Sequence, residues 1–425
     1  MSSALPGYEQ AAAMVASYAA RLARLRPWLA VERVALTAAA GRVLARPLCA
    51  DCDQPPFTRS TRDGFACRAA EASAHGFLRV AGATRAGDTP PGALPQGAAW
   101  EIMTGAPVPE DADAVAMLEH VETAGGSVRL LPVRKIAAGD NVVAQGAQAR
   151  EGDELLVAGT AITFAQIALA AACGSSTLEV YRRPRVAVLA TGDELVAVEA
   201  APAPGQIRNS NAPMLAALVA AAGGEPWVLP TAADNARALD GALAEAAQAD
   251  VLLISGGVSA GKFDLVEPAL TRMGAKFHFT GVRIQPGKPL VFGEIPAGTS
   301  LASQNEHGTK CFFGLPGNPV SSAVTFLLFG APVLGALAGR LEGRPRFALA
   351  RLARTTDRHA KPGLTRFLPA SCTFCARAGE VPEVELVPWQ GSGDLAALAR
   401  ANCFLVIPEE KASLAEGEIV SILLF

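Results

Sequence analysis

Residues 250–264 read Asp250-Val-Leu-Leu-Ile-Ser-Gly-Gly-Val-Ser-Ala-Gly-Lys-Phe-Asp264. Four apolar residues, Val251–Ile254, run directly into a loop with three glycines and two serines, and Asp264 opens the next periodic segment. The pattern predicts a buried strand that empties into a turn of small residues. Such a turn lets backbone N–H groups and a helix N-terminus face an anion. The loop has neither the Gly-x-Gly-x-x-Gly of dinucleotide binders nor the Gly-Lys-Ser/Thr ending of a Walker loop. It predicts a phosphate-like ligand held by another kind of loop.

The surroundings repeat the strand-then-helix theme. Val186–Leu189 predicts a second buried strand and Cys311–Phe313 a third. Helices are expected at Pro213–Ala222, Leu239–Ala249, Leu265–Met273 and Val320–Leu328, with Gly223 and Gly274 as stops. Strands alternating with helices argue for a parallel α/β sheet. Upstream, residues 8–25 have helical apolar spacing, and Pro55-Pro56 marks a break. From 58 to 135, short apolar runs between Gly/Pro turns predict a β-rich lobe. Residues 136–180 end in a helix, Ala165–Cys173, and residues 341–425 return to short strands. The expected fold class is α/β plus β, multidomain. The expected parts are an N-terminal and linker domain (1–53 and 136–182), the β-rich lobe (54–135), a central α/β domain (183–340) and a C-terminal β domain (341–425).

Bulk properties narrow the function. A chain of 425 residues should hold several domains of about 100–200 residues each. A net charge of −3 offers no basic field for nucleic acid. No basic n-region precedes an apolar run at the N-terminus, so no secretory signal is expected. The uncharged runs Leu155–Leu178 and Pro319–Gly339 are long enough to suggest a membrane span. Their internal Gly, Thr, Ser and Pro residues favour strand–turn–helix and buried-helix readings instead. Cys49-x-x-Cys52 and Cys372-x-x-Cys375 have zinc-like spacing, but they lie far apart, and free thiols in a reducing cytoplasm are the expectation.

In open α/β sheets, ligands bind beyond the carboxyl ends of the strands. Three strand ends carry unusual loops here: Thr191-Gly-Asp-Glu194, Ser255–Asp264 and Gly314-Leu-Pro-Gly-Asn-Pro319, whose Pro319 suits the first position of a helix. Together they predict a floor of backbone N–H donors rimmed by Asp193, Glu194 and Asp264. Crowded carboxylates need a cation, and oxygen ligands beside a phosphate suit Mg²⁺. Asp193 and Glu194 could instead cap the segment that follows. Lys288 could meet an oxyanion or be a solvated hairpin lysine. Two upstream loops, Thr61-Arg-Asp-Gly-Phe65 and Ile102-Met-Thr-Gly-Ala-Pro107, place Asp63 and Thr104 in tight turns.

Taken together, these segments resemble the molybdopterin molybdenumtransferases of the MoeA type, related to the plant and animal E-domains that finish the molybdenum cofactor. The resemblance is carried by Pro55-Pro-Phe, Asp63-Gly-Phe-Ala66, Ile102-Met-Thr-Gly-Ala-Pro-Val-Pro109, Ala112-Asp-Ala-Val115, Thr191-Gly-Asp-Glu-Leu195 and Ser210-Asn211. It continues through Ser255-Gly-Gly-Val-Ser259 with Gly261 and Asp264, Pro286-Gly-Lys-Pro289 and Gly314–Pro319. It implies an elongated homodimer whose α/β domain is like the adenylyltransferase of the same pathway and whose C-terminal domain is a β-barrel. It also implies a cytoplasmic reaction in which adenylylated molybdopterin and molybdate, with Mg²⁺, give molybdenum on the dithiolene and AMP. By motif match, Asp63 and Thr104 would come from one chain and Glu194, Asp264 and Lys288 from its partner. Ser255, Gly256, Gly257, Ser259, Gly261, Pro316, Gly317, Asn318 and Ser392 would hold the ligand. Asp193, Glu194, Asp234 and Asp264 would hold the metal. Thr104, Ser259 or Lys288 would donate to molybdate. The adenylyltransferase and client molybdoenzymes are the implied protein partners, with no nucleic acid and no membrane.

Several positions depart from the family pattern. Arg62 and Phe65 stand where Met and Tyr are usual, Gln148 replaces an acid, Gln285 a lysine, and Arg208-Asn209 an acidic stretch. These departures leave two other readings open: a cofactor carrier serving one molybdoenzyme, and the adenylyltransferase itself, which shares Ser-Gly-Gly-Val-Ser and Pro-Gly-Asn-Pro.

Overall fold

The computed structural model describes residues 5–24, 30–74, 76–257, 265–296, 309–340, 344–356, 363–373 and 379–425. The chain divides into two compact units. The larger holds residues 1–45, 159–163 and 177–425, and the smaller holds residues 46–158 and 164–176.

The larger unit opens with α1 (Tyr8–Arg24), whose buried Ala11, Val15, Tyr18 and Leu22 fall at helical spacing. Its centre is built from β1 (Arg185–Ala190), α2 (Asn211–Ala221), β2 (Glu225–Val228), α3 (Ala236–Ala246), β3 (Val251–Ser255), α4 (Val266–Arg272), β4 (Lys276–Phe279), β5 (Val291–Pro296), β6 (Thr309–Leu315) and α5 (Pro319–Leu337). The sheet order is β2-β1-β3-β6-β5-β4. The first four strands are parallel, and β5 and β4 join antiparallel.

Both faces of this sheet are covered, which explains the unbroken apolar run at Val251–Ile254. Val251 and Leu253 pack into a core with α1, α2 and α5, alongside Val186, Val188 and Phe313. Leu252 and Ile254 pack oppositely, with Ala187, Leu189, Leu239, Leu243 and Phe312. Successive side chains point to opposite faces, so a strand buried on both faces shows no polar alternation.

The sequence placed the helix of α3 at Leu239–Ala249, three residues late. Asn235 starts it at Ala236, because its side chain accepts a hydrogen bond from the Ala238 N–H at 2.9 Å. The helix expected at Val320–Leu328 runs on to Leu337 through a wide turn at Phe326–Gly330. That turn lies just before Pro332, where a regular helix would clash with the ring. Among the described residues, this is the one helix long and apolar enough to cross a membrane, and 83% of that window is buried inside the fold.

The C-terminal part is a closed five-stranded barrel: β7 (Phe347–Leu352), β8 (Thr365–Thr373), β9 (Glu383–Leu386), β10 (Cys403–Ile407) and β11 (Ile419–Leu424), with α6 (Leu395–Arg400) between β9 and β10. The order β8-β9-β7-β11-β10 closes by pairing β10 with β8. Ala350, Cys372, Val384, Leu405 and Ile422 fill its core.

The smaller unit holds a mixed six-stranded sheet of Gly64–Cys67, Leu78–Thr84, Ala98–Ile102, Ala114–Met117, Val121–Ala124 and Ser127–Leu130. Its apolar residues pack on both faces: Phe65, Leu78 and Val128 on one, Ala66, Ile102 and Val115 on the other. The uncharged run at Leu155–Leu178 resolves into a strand (Glu154–Leu156), a helix (Phe164–Ala172) and a strand (Thr177–Tyr181).

Candidate active site

The parallel strands β1, β3 and β6 end side by side, and their loops line a cavity of about 830 Å³. Thr191, Gly192 and Glu194 follow β1; Ser255, Gly256 and Gly257 end or follow β3; Pro316, Gly317 and Asn318 follow β6. That volume lies in the roughly 300–1,000 Å³ range of small-molecule sites.

The glycines after β3 are dictated by crowding. Gly256 and Gly257 have φ of 95° and 63°, in the left-handed region. A Cβ on Gly256 would sit 2.6 Å from the Thr191 carbonyl oxygen, and one on Gly257 would sit 2.7 Å from Val266 Cγ2. The chain turns so tightly here that only backbone can face the cavity.

Hydrogen bonds tie the loops together. Asn211, the first residue of α2, donates from Nδ2 to the Gly317 carbonyl (2.6 Å) and to Ser255 Oγ (2.8 Å). Asn209 supports the same helix start, since its Oδ1 accepts from the Ala212 N–H at 3.1 Å. Asn318 precedes Pro319, which begins α5. Its Nδ2 donates to Ser392 Oγ at 2.8 Å, and the Val320 N–H bonds the Ser392 carbonyl. Ser392 thus joins the loop after β6, and its neighbour Gly393 lines the cavity.

The acids behave unequally. Glu194 and Asp234 line the cavity, whereas Asp193 does not. Asp193 Oδ1 instead accepts the Asp234 N–H at 2.9 Å, bracing the loop after β2. Desolvation, reinforced by the charges of Asp193 and Glu194, raises the Asp234 carboxyl above the usual carboxylate range. Among the described residues, no group of three or more His, Cys, Asp or Glu side chains is arranged to hold a metal ion. Ser259, Gly261 and Asp264 lie outside the described residues, as does Cys375. Pro289 lines the cavity, while Lys288 is exposed and is absent from the lining. Seven cysteines, Cys49, Cys52 and Cys372 among them, are free thiols.

In the smaller unit, Gly64 pairs with Ile102 in antiparallel register. Asp63 and the Met103–Thr104 turn therefore emerge together at one end of the sheet. Asp63 Oδ1 accepts the Thr104 N–H at 2.6 Å and the Thr104 hydroxyl at 2.8 Å. Those bonds, the backbone one first, hold the Asp63 carboxyl below the usual range. In this chain the Thr104 hydroxyl donates to Asp63, and its Oγ1 keeps lone pairs for accepting.

The sequence reading placed Thr191 and Asn211 within motifs but gave neither side chain a role in the site. The signal was present in Ser210-Asn211, two polar residues opening an otherwise apolar helix. Thr191 opens the Thr191-Gly-Asp-Glu194 loop in the sequence, but its place against Gly256 and Gly257 comes only from the fold.

The comparisons with known proteins cover nearly the whole chain. Residues 7–174 match the MoeA N-terminal region (domain I and II), 187–336 a probable molybdopterin binding domain, and 343–425 the MoeA C-terminal region (domain IV). A molybdopterin molybdenumtransferase of Nostoc sp. is 35% identical over 404 residues, covering 92% of this chain and 88% of the relative. One of Bacillus subtilis is 34% identical over 401 residues, covering 92% and 89%. A solved molybdopterin biosynthesis moeA protein of Pyrococcus horikoshii superposes with a TM-score of 0.78 at 26% identity, covering 99% of this chain and 100% of that one. With the same three regions in the same order and this extent of identity, the chain belongs to the MoeA family of molybdopterin molybdenumtransferases.

Proposed function

We propose that this chain, a transferase of molybdenum cofactor biosynthesis by its family, takes adenylylated molybdopterin and molybdate, works with Mg²⁺, and releases AMP. The observation that carries the reading is the cavity at the strand ends. The Gly256–Gly257 turn, Ser255 with its hydroxyl and the start of α2 line it, and Glu194 and Asp234 rim it. Donors of this kind suit the phosphate-bearing part of the substrate. The match to a probable molybdopterin binding domain spans the same strands.

The donor set suits Mg²⁺ in chemistry, since Glu194 and Asp234 are hard oxygen donors, and burial first, with the nearby Asp193 and Glu194 charges adding to it, raises the Asp234 carboxyl. Bound there, the ion supplies Lewis-acid polarisation of phosphoryl oxygens. The chain's own loops orient the phosphates, with Asn211 and Asn318 fixing the loops after β3 and β6. Lys288, exposed beside Pro289, is the cation assigned to molybdate. Asp63 and Thr104 enter the proposal as acceptors, the anion held in place by its two bonds.

The proposal includes a homodimer. Helix Phe164–Ala172 is apolar apart from Gln166, yet only Ala170 is buried, and Phe164 is 86% exposed. A second copy would cover such a face. The free thiols support a reducing, cytoplasmic setting. The adenylyltransferase of the pathway would supply the substrate, and client molybdoenzymes would receive the product.

The test is AMP release from adenylylated molybdopterin. AMP should appear only with molybdate and Mg²⁺ together, and a chelator should stop it. Glu194→Gln and Asp234→Asn should each lower the rate at least tenfold. ATP-dependent adenylylation of molybdopterin by this chain alone would replace the proposal with the adenylyltransferase reading. Tight molybdopterin binding without AMP release would replace it with the carrier reading.

A further inference from the structure

The geometry points to Asn211 as a positioning residue that turns the Ser255 hydroxyl into a hydrogen-bond donor toward an anionic ligand oxygen. The inference rests on the reading that the cavity takes a phosphate-bearing pterin.

The Asn211 side chain sits between two strand ends, donating to Gly317 O at 2.6 Å and to Ser255 Oγ at 2.8 Å. A carbonyl oxygen only accepts, so the Gly317 contact fixes which end of the amide is nitrogen. Both hydrogens of Nδ2 are then spent. Ser255 Oγ is an acceptor in this pair, and Asn211 Nδ2 has no lone pair to take the hydroxyl proton. Among the described residues, no other acceptor takes it either. Ser255 is 2% exposed and lines the cavity, so its O–H is left with the cavity as its outlet.

A second pair has the same polarity. Asn318 Nδ2 donates to Ser392 Oγ at 2.8 Å on the neighbouring loop. In both pairs an amide nitrogen donates to a hydroxyl's lone pair and frees its proton. An oxygen that already accepts a hydrogen bond is also a better donor, since bonds in a chain polarise one another. A phosphate oxygen is the complementary partner: it only accepts, and its charge strengthens the bond.

The test is a double-variant cycle with molybdopterin and inorganic pyrophosphate as probes, each binding constant measured calorimetrically on the full chain. Ser255→Ala should weaken binding about tenfold, the worth of one hydrogen bond to a charged group. Asn211→Asp should weaken it further, because a carboxylate accepts the Ser255 proton and adds a negative charge. The charge acts in either background, whereas misdirection of the hydroxyl acts only when Ser255 is present. The loss from Asn211→Asp should therefore be about tenfold smaller in the Ser255→Ala background. Equal losses in both backgrounds overturn the inference and leave the functional reading standing. A wild-type chain that binds neither probe overturns both. If Asn211→Asp does not fold, Asn211→Ala takes its place, with a smaller but still background-dependent loss expected and equal losses again decisive.

Discussion

Asp63 Oδ1 is the anchor of Thr104: one carboxylate oxygen takes both the backbone N–H and the hydroxyl of that residue, at 2.6 and 2.8 Å. The bond pair orders the Met103–Gly105 turn and decides the polarity of Thr104. Because the anion accepts these bonds, the Asp63 pKa is lowered in the folded chain. The stabilisation is therefore complete above the ordinary carboxylate range and is lost as the pH falls through the lowered value. Exchange of the Thr104 amide, taken relative to its intrinsic rate at each pH, should stay slow and flat from neutral pH down to mildly acidic pH, then quicken in acid. Asp63→Asn should quicken it at neutral pH, and AMP release should fall at least tenfold. An unchanged Thr104 amide in that variant would show that the carboxylate is not the anchor.

Gly257→Ala forces a Cβ to 2.7 Å from Val266 Cγ2 in a left-handed conformation. Such a residue costs roughly 1–3 kcal/mol of backbone strain, before any steric clash. The loop after β3 should shift, and molybdopterin binding should weaken more than the urea midpoint drops. A variant with wild-type binding would mean that this turn does not shape the cavity.

Leu253 is fully buried in the core between the sheet and α1, α2 and α5. Leu253→Ala should destabilise the larger unit by about 2–5 kcal/mol. Chemical denaturation followed by tryptophan fluorescence measures it, with Trp227 on β2 as the reporter in this sheet. A loss under about 1 kcal/mol would contradict a close-packed site.

The exposed face of helix Phe164–Ala172 gives a clean test of self-association. Phe164→Glu places a charge on a residue 86% exposed in the single chain, so the fold should not suffer. Sedimentation should show wild type at twice the chain mass and the variant shifted toward 43.7 kDa. A wild type that sediments as a single chain would remove the homodimer from the proposal.

The Asn235 side chain caps α3 beside Asp234. Asn235→Ala should cost about 1 kcal/mol of stability. It should also loosen the loop that carries Asp234, raising the Mg²⁺ needed for half-maximal AMP release. A stability loss with no change in the Mg²⁺ requirement would separate Asp234 from the metal.

Much of this chain was legible in one dimension. The run Val251–Ile254 announced a strand covered on both faces, because only full burial removes polar alternation. Gly256 and Gly257 announced a tight turn, because only glycine tolerates that φ and that approach to Thr191. Pro319 announced the start of α5. The order of the loops along the chain was enough to name the family. These features are local, set by each residue's own conformational limits and by the period of burial.

Only the tertiary structure divided the work among the polar groups. Asp193 and Glu194 are neighbours in sequence, yet one braces the Asp234 backbone and the other faces the cavity. The Thr104 hydroxyl donates to Asp63, 41 positions away in the chain. Asn211 and Ser255 are separated by 44 positions and meet because α2 begins where β3 ends. A hydrogen bond has a direction, and its direction depends on which group the fold brings opposite. Local constraints along the chain set the strand, the turn and the family. Folding decided which oxygen gives a proton and which one takes it.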